Sequence, residues 1–225
     1  MLNFQIAQRL FLRSLLVVVG LTTMVGQARE VEVVVTDANG KGLPQAVVSI
    51  DFPARQAVAN QTVIDQVDRL FTPFISTVRP GATVNFPNSD NIRHQVYSFS
   101  PAKTFELPLY SNREAPAITF PEAGIVVLGC NIHDHMRAYL YVSPHAQSRL
   151  TDGEGSVVLE APSEASTVHV WYPGLGDEAT AERQFAIDAS QQQLSVSLPV
   201  TPQQQTPPPP SPLQQRFNKL KNDSN

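Results

Sequence analysis

From Val31 apolar and polar residues alternate as VEVVVT, the chain turns through DANGKGLP, and alternation resumes in AVVSID. A period of two puts every second side chain on one face, so this stretch predicts two strands joined by a Gly-rich loop. Val63 to Val78 is strand-like with Pro73 inside it, Ala82 to Phe86 leads into a polar turn at PNSDN, and HQVYSF alternates again. ITF, IVVLG, AYLYV, SVVLEA, TVHVWY, FAIDA and LSVSLPV follow at short intervals, with no helical stretch of convincing length. Short strands spaced regularly between turn residues predict an all-β fold built as an antiparallel sandwich.

The two ends read differently. Arg9 and Arg13 precede the apolar run Leu15 to Leu21, and the small residues Gly26 and Ala28 stand just before Arg29 and Glu30. That is the layout of a secretory signal peptide over 1–28, cleaved near Ala28. The apolar run falls short of the roughly 20 residues a spanning helix needs. No cysteine stands at the junction to take a lipid. The mature chain is therefore expected in the periplasm or otherwise exported, with no stable membrane insertion. After Val200 the composition shifts to TPQQQTPPPPSPLQQ, whose prolines remove backbone donors and whose glutamines offer nothing to bury, so 201–225 reads as a disordered Pro/Gln-rich tail.

Loss of Arg9 and Arg13 takes the formal net charge from −4 to −6, a mildly acidic balance without a basic surface for phosphates. Nucleic acid is not an expected partner. About 170 residues remain between leader and tail, which suits two small β-domains. The chain has a single cysteine, Cys130, so no internal disulfide can form. An inert thiol or an intermolecular bridge would be the bland readings of a lone cysteine, but its neighbours change the picture.

The segment GCNIHDHM lies between two strands and sets Cys130, His133 and Met136 at three-residue intervals on one tight loop. His94 stands upstream, where PNSDN gives way to HQVYSF. Two imidazoles, one thiolate and a weak thioether are the donor set of a blue-copper site, and the imidazoles suit both copper oxidation states. Zinc fits this set less well, because structural zinc sites take four cysteine or histidine ligands.

From about Phe74 to Val142 the chain resembles the cupredoxin (blue copper) family. The resemblance rests on GATVNFPN before His94, HQVYSF around it, ITFPEAGIVVLGC leading to Cys130, and two-residue gaps on both sides of His133 that look like amicyanin rather than plastocyanin. It is similar more closely to the bacterial cupredoxins often labelled methylamine utilization proteins, a label that establishes no pathway. The resemblance implies a Greek-key cupredoxin sandwich over 55–142, one copper per chain held by His94, Cys130, His133 and Met136, and an upstream histidine more buried than His133. Two departures stand out. Gln95 follows the first histidine where amicyanin-like proteins carry asparagine, and His135 beside Met136 is a competing axial donor. Equal spacing about His133 favours Met136.

The flanks carry a second resemblance. VVVTDANGKGLPQAVVSI looks like the first half of a carboxypeptidase regulatory-like β-sandwich and RLTDGEGSVVLEAPSEASTVHVWYPG like its second half, which implies a discontinuous domain of 29–54 plus 143–200 around the cupredoxin. DANGKG reads as a hairpin turn and not a calcium loop, since Val48 occupies the place of the bidentate acid. His145 and His169 are isolated in sequence and read as packed or surface histidines. No catalytic motif is present, so the expectation is a one-electron carrier that meets a redox protein partner, not an enzyme. Copper delivery or storage with the same ligands is the alternative, and a purely structural sandwich is a third.

Overall fold

The structure is a computed structural model that describes residues 28–54, 61–111, 117–178, 181–206, 209, 212–213, 215–216 and 220. All but the last residue of the expected leader lies outside them. The strands in chain order are β1 (Ala28–Thr36), β2 (Val47–Ile50), β3 (Gln61–Val63), β4 (Asp65–Val67), β5 (Leu70–Thr72), β6 (Ile75–Val78), β7 (Ala82–Asn85), β8 (Tyr97–Ser100) and β9 (Lys103–Glu106). They continue as β10 (Ile118–Phe120), β11 (Gly124–Gly129), β12 (Arg137–Val142), β13 (Gln147–Leu150), β14 (Ser156–Pro162), β15 (Ser166–Trp171), β16 (Arg183–Ile187) and β17 (Gln193–Ser197). Among the described residues no helix is long and apolar enough to cross a membrane.

The flanking segments build two sheets of their own. In one, β1 lies between β14, with Val31 opposite Leu159, and β17. In the other, β2 is central in the order β13-β2-β15-β16. Val31, Val33 and Val35 of β1, separated by more exposed neighbours, turn their common face toward Val48 and Ile50 of β2 and Val168 and Val170 of β15. Strict alternation on β1 marks a strand with one face in the core, and full burial along β2 a strand covered on both faces.

Between the flanks, β6-β12-β11-β8-β9 form a five-stranded sheet, β10-β7-β3 a three-stranded one and β4-β5 a hairpin. Most pairs are antiparallel, but β1 with β17, β6 with β12 and β3 with β7 run parallel. Each parallel pair joins segments far apart in sequence, as parallel neighbours require. The stretch from Val63 to Val78, strand-like in its pattern, is not one element. It breaks after Val63, then at a tight turn where Asp68 and Arg69 have φ of 54° and 60°, and again at Pro73.

Strand β12 joins the two halves. Ala138, Leu140 and Val142 enter the core shared with Val126, Leu128, Cys130 and Met136, whereas Tyr139 and Tyr141 face the other way. There the Tyr139 and Tyr141 rings stand 5.8 and 5.7 Å from that of Trp171, whose indole N–H donates to the Gly176 carbonyl. The glutamines after Val200 also find partners. Gln205 receives the Phe71 amide at 2.9 Å and donates to the Phe71 carbonyl at 2.6 Å, and the Tyr172 hydroxyl receives the Gln203 amide. The tail's first residues are thus fastened to the body by the Gln205 side-chain amide, which satisfies both backbone groups of Phe71, and by the Gln203 backbone amide.

Because Trp171 is 1 % exposed and contacts both tyrosines of β12, Trp171→Ala is expected to cost about 3–5 kcal/mol of unfolding free energy. Urea unfolding followed by far-UV circular dichroism checks this; a loss below about 1 kcal/mol would mean the two halves do not share this core.

Candidate metal centre

Strands β11 and β12 are paired up to Gly129 opposite Arg137, so residues 130–136 form the loop that closes this hairpin. At Gly129 a Cβ would lie 2.6 Å from the Tyr97 ring, which crosses the strand at that point and would have to swing aside to admit one. Within the loop the Met136 amide donates to the His133 carbonyl at 2.9 Å, a one-turn closure that gives the three-residue repeat its geometry.

His94 comes from the segment that leads from β7 into β8, the neighbour of β11. Its amide and carbonyl both exchange hydrogen bonds with Tyr110, at 3.0 and 2.9 Å, fixing the backbone before β8 begins. Tyr110 is itself held: its hydroxyl donates to the Phe86 carbonyl at 2.6 Å and accepts from Gln66. Burial first, opposed by the Gln66 bond and aided by Asp65 and Cys130, pushes the Tyr110 hydroxyl up to about 12, so it stays a neutral donor.

The two segments bring one donor atom each of His94, Cys130 and His133 within 4.8 Å of one another. His94, Cys130 and Met136 are 0, 2 and 1 % exposed, while His133 is only partly covered. The Nδ1 atoms of both His94 and His133 are buried and have no hydrogen-bond partner. A buried imidazole nitrogen without a partner is costly unless something else takes its lone pair. Two such nitrogens beside a thiol fit a soft or borderline metal ion. Met136 lies in the same apolar cluster as Cys130. His135 does not join the group: its Nε2 donates to the Arg69 carbonyl at 3.0 Å.

The far nitrogen of His94 is held by a residue that sequence reasoning passed over as part of a turn. Asp90 Oδ2 lies 2.6 Å from His94 Nε2. The same carboxylate accepts from the amides of Asp68 and Arg69 at 2.7 and 2.9 Å, and Asn88 Oδ1 accepts from the Asp90 amide at 3.0 Å. Burial alone would raise the Asp90 carboxyl, but the Arg69 amide, the His94 ring and the Asp68 amide together hold it below the ordinary carboxylate range. An ionised Asp90 places the His94 proton on Nε2 and leaves Nδ1 as the donor atom. Burial, followed by the neighbouring His94, His135 and Arg69 and opposed by Asp90, lowers the pKa of His133 as well. Burial and those neighbours bias the His133 ring to the neutral form that ligates.

Gln95, where the amicyanin-like pattern has asparagine, turns its side chain to Glu106 at 2.7 Å. The fastening between the two ligand segments is made instead by the β4–β5 turn, which holds Asp90 through amides and His135 through the Arg69 carbonyl. A signal for it was present in the polar pair Asp68-Arg69 breaking an apolar stretch, since Asp tolerates the left-handed region, but Arg69 beside it gives no such sign. His145 and His169, isolated in sequence, meet each other elsewhere with ring centroids 3.9 Å apart.

No family model matches the chain, and no curated protein does. Among solved structures, amicyanin from Paracoccus versutus is similar over 43 % of this chain and 97 % of its own, at 23 % identity and a TM-score of 0.35. A purple cupredoxin from Nitrosopumilus maritimus is similar over 36 % of this chain and 99 % of its own, at 20 % identity and a TM-score of 0.33. A copper-containing nitrite reductase from Thermus scotoductus is similar over 42 % of this chain but only 25 % of its own, at 24 % identity and a TM-score of 0.36. Part of an all-β chain is thus similar to copper proteins, and the chemistry of the centre has to be argued from its own residues.

Proposed function

We propose that the chain is an exported type 1 copper protein that carries single electrons, with one copper per chain held by His94, Cys130 and His133 and by Met136 as the axial donor. The unit that bears these ligands, 55–142, is inserted in a β-sandwich formed by 29–54 and 143–200. The observation that carries the reading is the pair of buried, unpartnered Nδ1 atoms converging with the Cys130 thiol. Copper bound there would supply a reversible one-electron couple and a strong thiolate charge-transfer absorption.

The protein's own residues would do the rest. Asp90 holds His94 in its ligating tautomer, and Met136 closes the loop against the core, while His135 is engaged by Arg69 and so is withdrawn from the axial role. Of the four, His133 alone reaches the surface. Ile132 beside it in the loop is 49 % exposed, an apolar side chain next to the ligand that reaches the surface. A redox protein partner could approach through the His133 edge in a small, transient encounter, with Asp134 and His135 adjusting docking. Copper delivery is the second reading, favoured by one feature: a groove of about 270 Å³ between Tyr97, Asp134 and Arg137 runs beside Cys130 and Met136.

Three outcomes follow for the full chain. Loaded with Cu(II), it is expected to show intense visible charge transfer that Cys130→Ser abolishes while the far-UV spectrum persists; weak ligand-field bands alone in the wild type would end the type 1 assignment. Met136→Ala is expected to keep copper but shift its potential and spectrum, with His135→Ala changing little, and redox titration would expose the reverse order if His135 were axial. Ile132→Lys is expected to slow electron exchange with a redox partner several-fold at unchanged absorption in stopped-flow mixing; undiminished exchange, or copper lost on each reduction, would favour delivery.

A further inference from the structure

The geometry points to a second metal site, for a divalent cation of the zinc class, formed by Asp51, His145 and His169 with Glu182 behind the imidazoles. Asp51 follows β2, His145 lies in the link from β12 to β13, His169 is on β15 and Glu182 directly precedes β16. Four segments separated by up to 131 positions therefore converge, counting from Asp51 to Glu182. One donor atom each of Asp51, His145 and His169 lies within 4.8 Å of the others.

The hydrogen inventory of His145 is what asks for a cation. Its Nδ1 stands 3.0 Å from Asp51 Oδ1 and its Nε2 stands 3.0 Å from Glu182 Oε2. A neutral imidazole carries one N–H, so it can satisfy only one of two ionised carboxylates, and with both ionised the other contact would set lone pair against lone pair. A second proton on His145 would mend that contact, but it would do nothing for His169. The Nδ1 of His169 lies 3.2 Å from the same Glu182 oxygen, yet it is buried and has no hydrogen-bond partner. The two rings are stacked 3.9 Å apart at 31°, an arrangement that adding charge to one ring does not favour. A cation held by Asp51, His145 Nδ1 and one nitrogen of His169 removes the conflict at His145 and brings His169 into the same site.

Glu182 then acts as the carboxylate behind a ligating histidine. It accepts the His145 Nε2 proton, which frees Nδ1 for the metal. Its other oxygen accepts from the Tyr141 hydroxyl, which fixes the carboxylate on β12. The His145 and Glu182 side chains are each 9 % exposed and His169 is 13 % exposed, so the site is built into the body and open only at Asp51, which is 67 % exposed. Donors around tetrahedral zinc stand about 3.4 Å apart. His145 Nδ1 and Asp51 Oδ1, 3.0 Å apart, are already within that range, and the exposed Asp51 side chain can adjust. Two nitrogens and a carboxylate oxygen suit zinc-class divalent ions and lack the thiolate that distinguishes the first centre.

Calorimetric titration of the full chain with Zn²⁺ tests the assignment. One equivalent is expected to bind in the Cys130→Ser chain, whose first centre lacks its thiolate, and to weaken by roughly 10-fold or more when either Asp51→Asn or His169→Gln is added. Asp51→Asn changes an exposed side chain, so its melting curve should match that of wild type and loss of zinc cannot be put down to misfolding. Zinc binding by the Cys130→Ser chain that is equal with and without Asp51→Asn or His169→Gln would overturn the site. So would the absence of any equivalent in the Cys130→Ser chain. Neither result depends on whether the Cys130 centre takes copper.

Discussion

Strand β12 has no solvent face along most of its length, and the remaining architecture hangs on that constraint. Ala138, Leu140 and Val142 complete the core that surrounds Cys130 and Met136, and Tyr139 and Tyr141 complete the one around Trp171. Its edges are taken by β11 and β6. A strand fixed on both faces and both edges has nowhere to slip, because a one-residue shift would exchange its tyrosines for its aliphatic residues on each side. The 130–136 loop springs from this strand and its partner β11, so the ligand spacing inherits their register. A loop pinned at both ends by packed strands changes shape little when the charge on a bound ion changes.

A second constraint sets the electrostatics. The β4–β5 turn holds Asp68 and Arg69 at positive φ, a conformation that costs non-glycine residues about 1 kcal/mol or more each. What the turn gains is two adjacent amides directed at one carboxylate, Asp90, and a carbonyl directed at His135. Asp90 stays ionised next to a fully buried histidine and thereby decides which nitrogen of His94 faces the thiol. Local strain is stored where the site needs orientation, a place where sequences depart from their own turn preferences.

Period-two alternation made most strands legible, since Val31, Val33 and Val35 or Leu159 and Ala161 need only a common face to reveal themselves. The Cys130, His133, Met136 spacing was legible for a similar reason: one short loop carries it. What escaped was whatever depends on distant segments meeting. The β4–β5 hairpin hid because its turn lacks glycine and asparagine, and because Phe71, Ile75 and Val78 read as one apolar stretch. Asp90 looked like a turn residue until its carboxylate was seen against His94. His145 and His169, 24 positions apart, carry no local pattern at all; only the pairing of β15 with β2 and the return of the chain after β12 stack their rings. The Gln205 side-chain amide escaped because composition describes what a segment can bury and not which backbone edges it can satisfy.

The choice between carrying electrons and handing over copper turns on how the ligands are held. Delivery requires a donor that can leave first and let an acceptor's ligand replace it, so at least one ligand should sit on a segment that opens at small cost. His94 is tied by two backbone bonds to Tyr110 and by Nε2 to Asp90, and Met136 is buried with its amide bonded to His133. Cys130, 2 % exposed, follows directly on a strand whose last residue is wedged against Tyr97. His133 alone is exposed enough to exchange, and it is also the ligand through which an electron would pass. Releasing it would still leave three donors anchored in the core, so displacement would stall short of transfer. The groove beside Cys130 offers an incoming ligand a way in, but it does not loosen the three that must let go. The same rigidity that hinders release suits a couple in which the ligands need not move between oxidation states, and this favours the carrier.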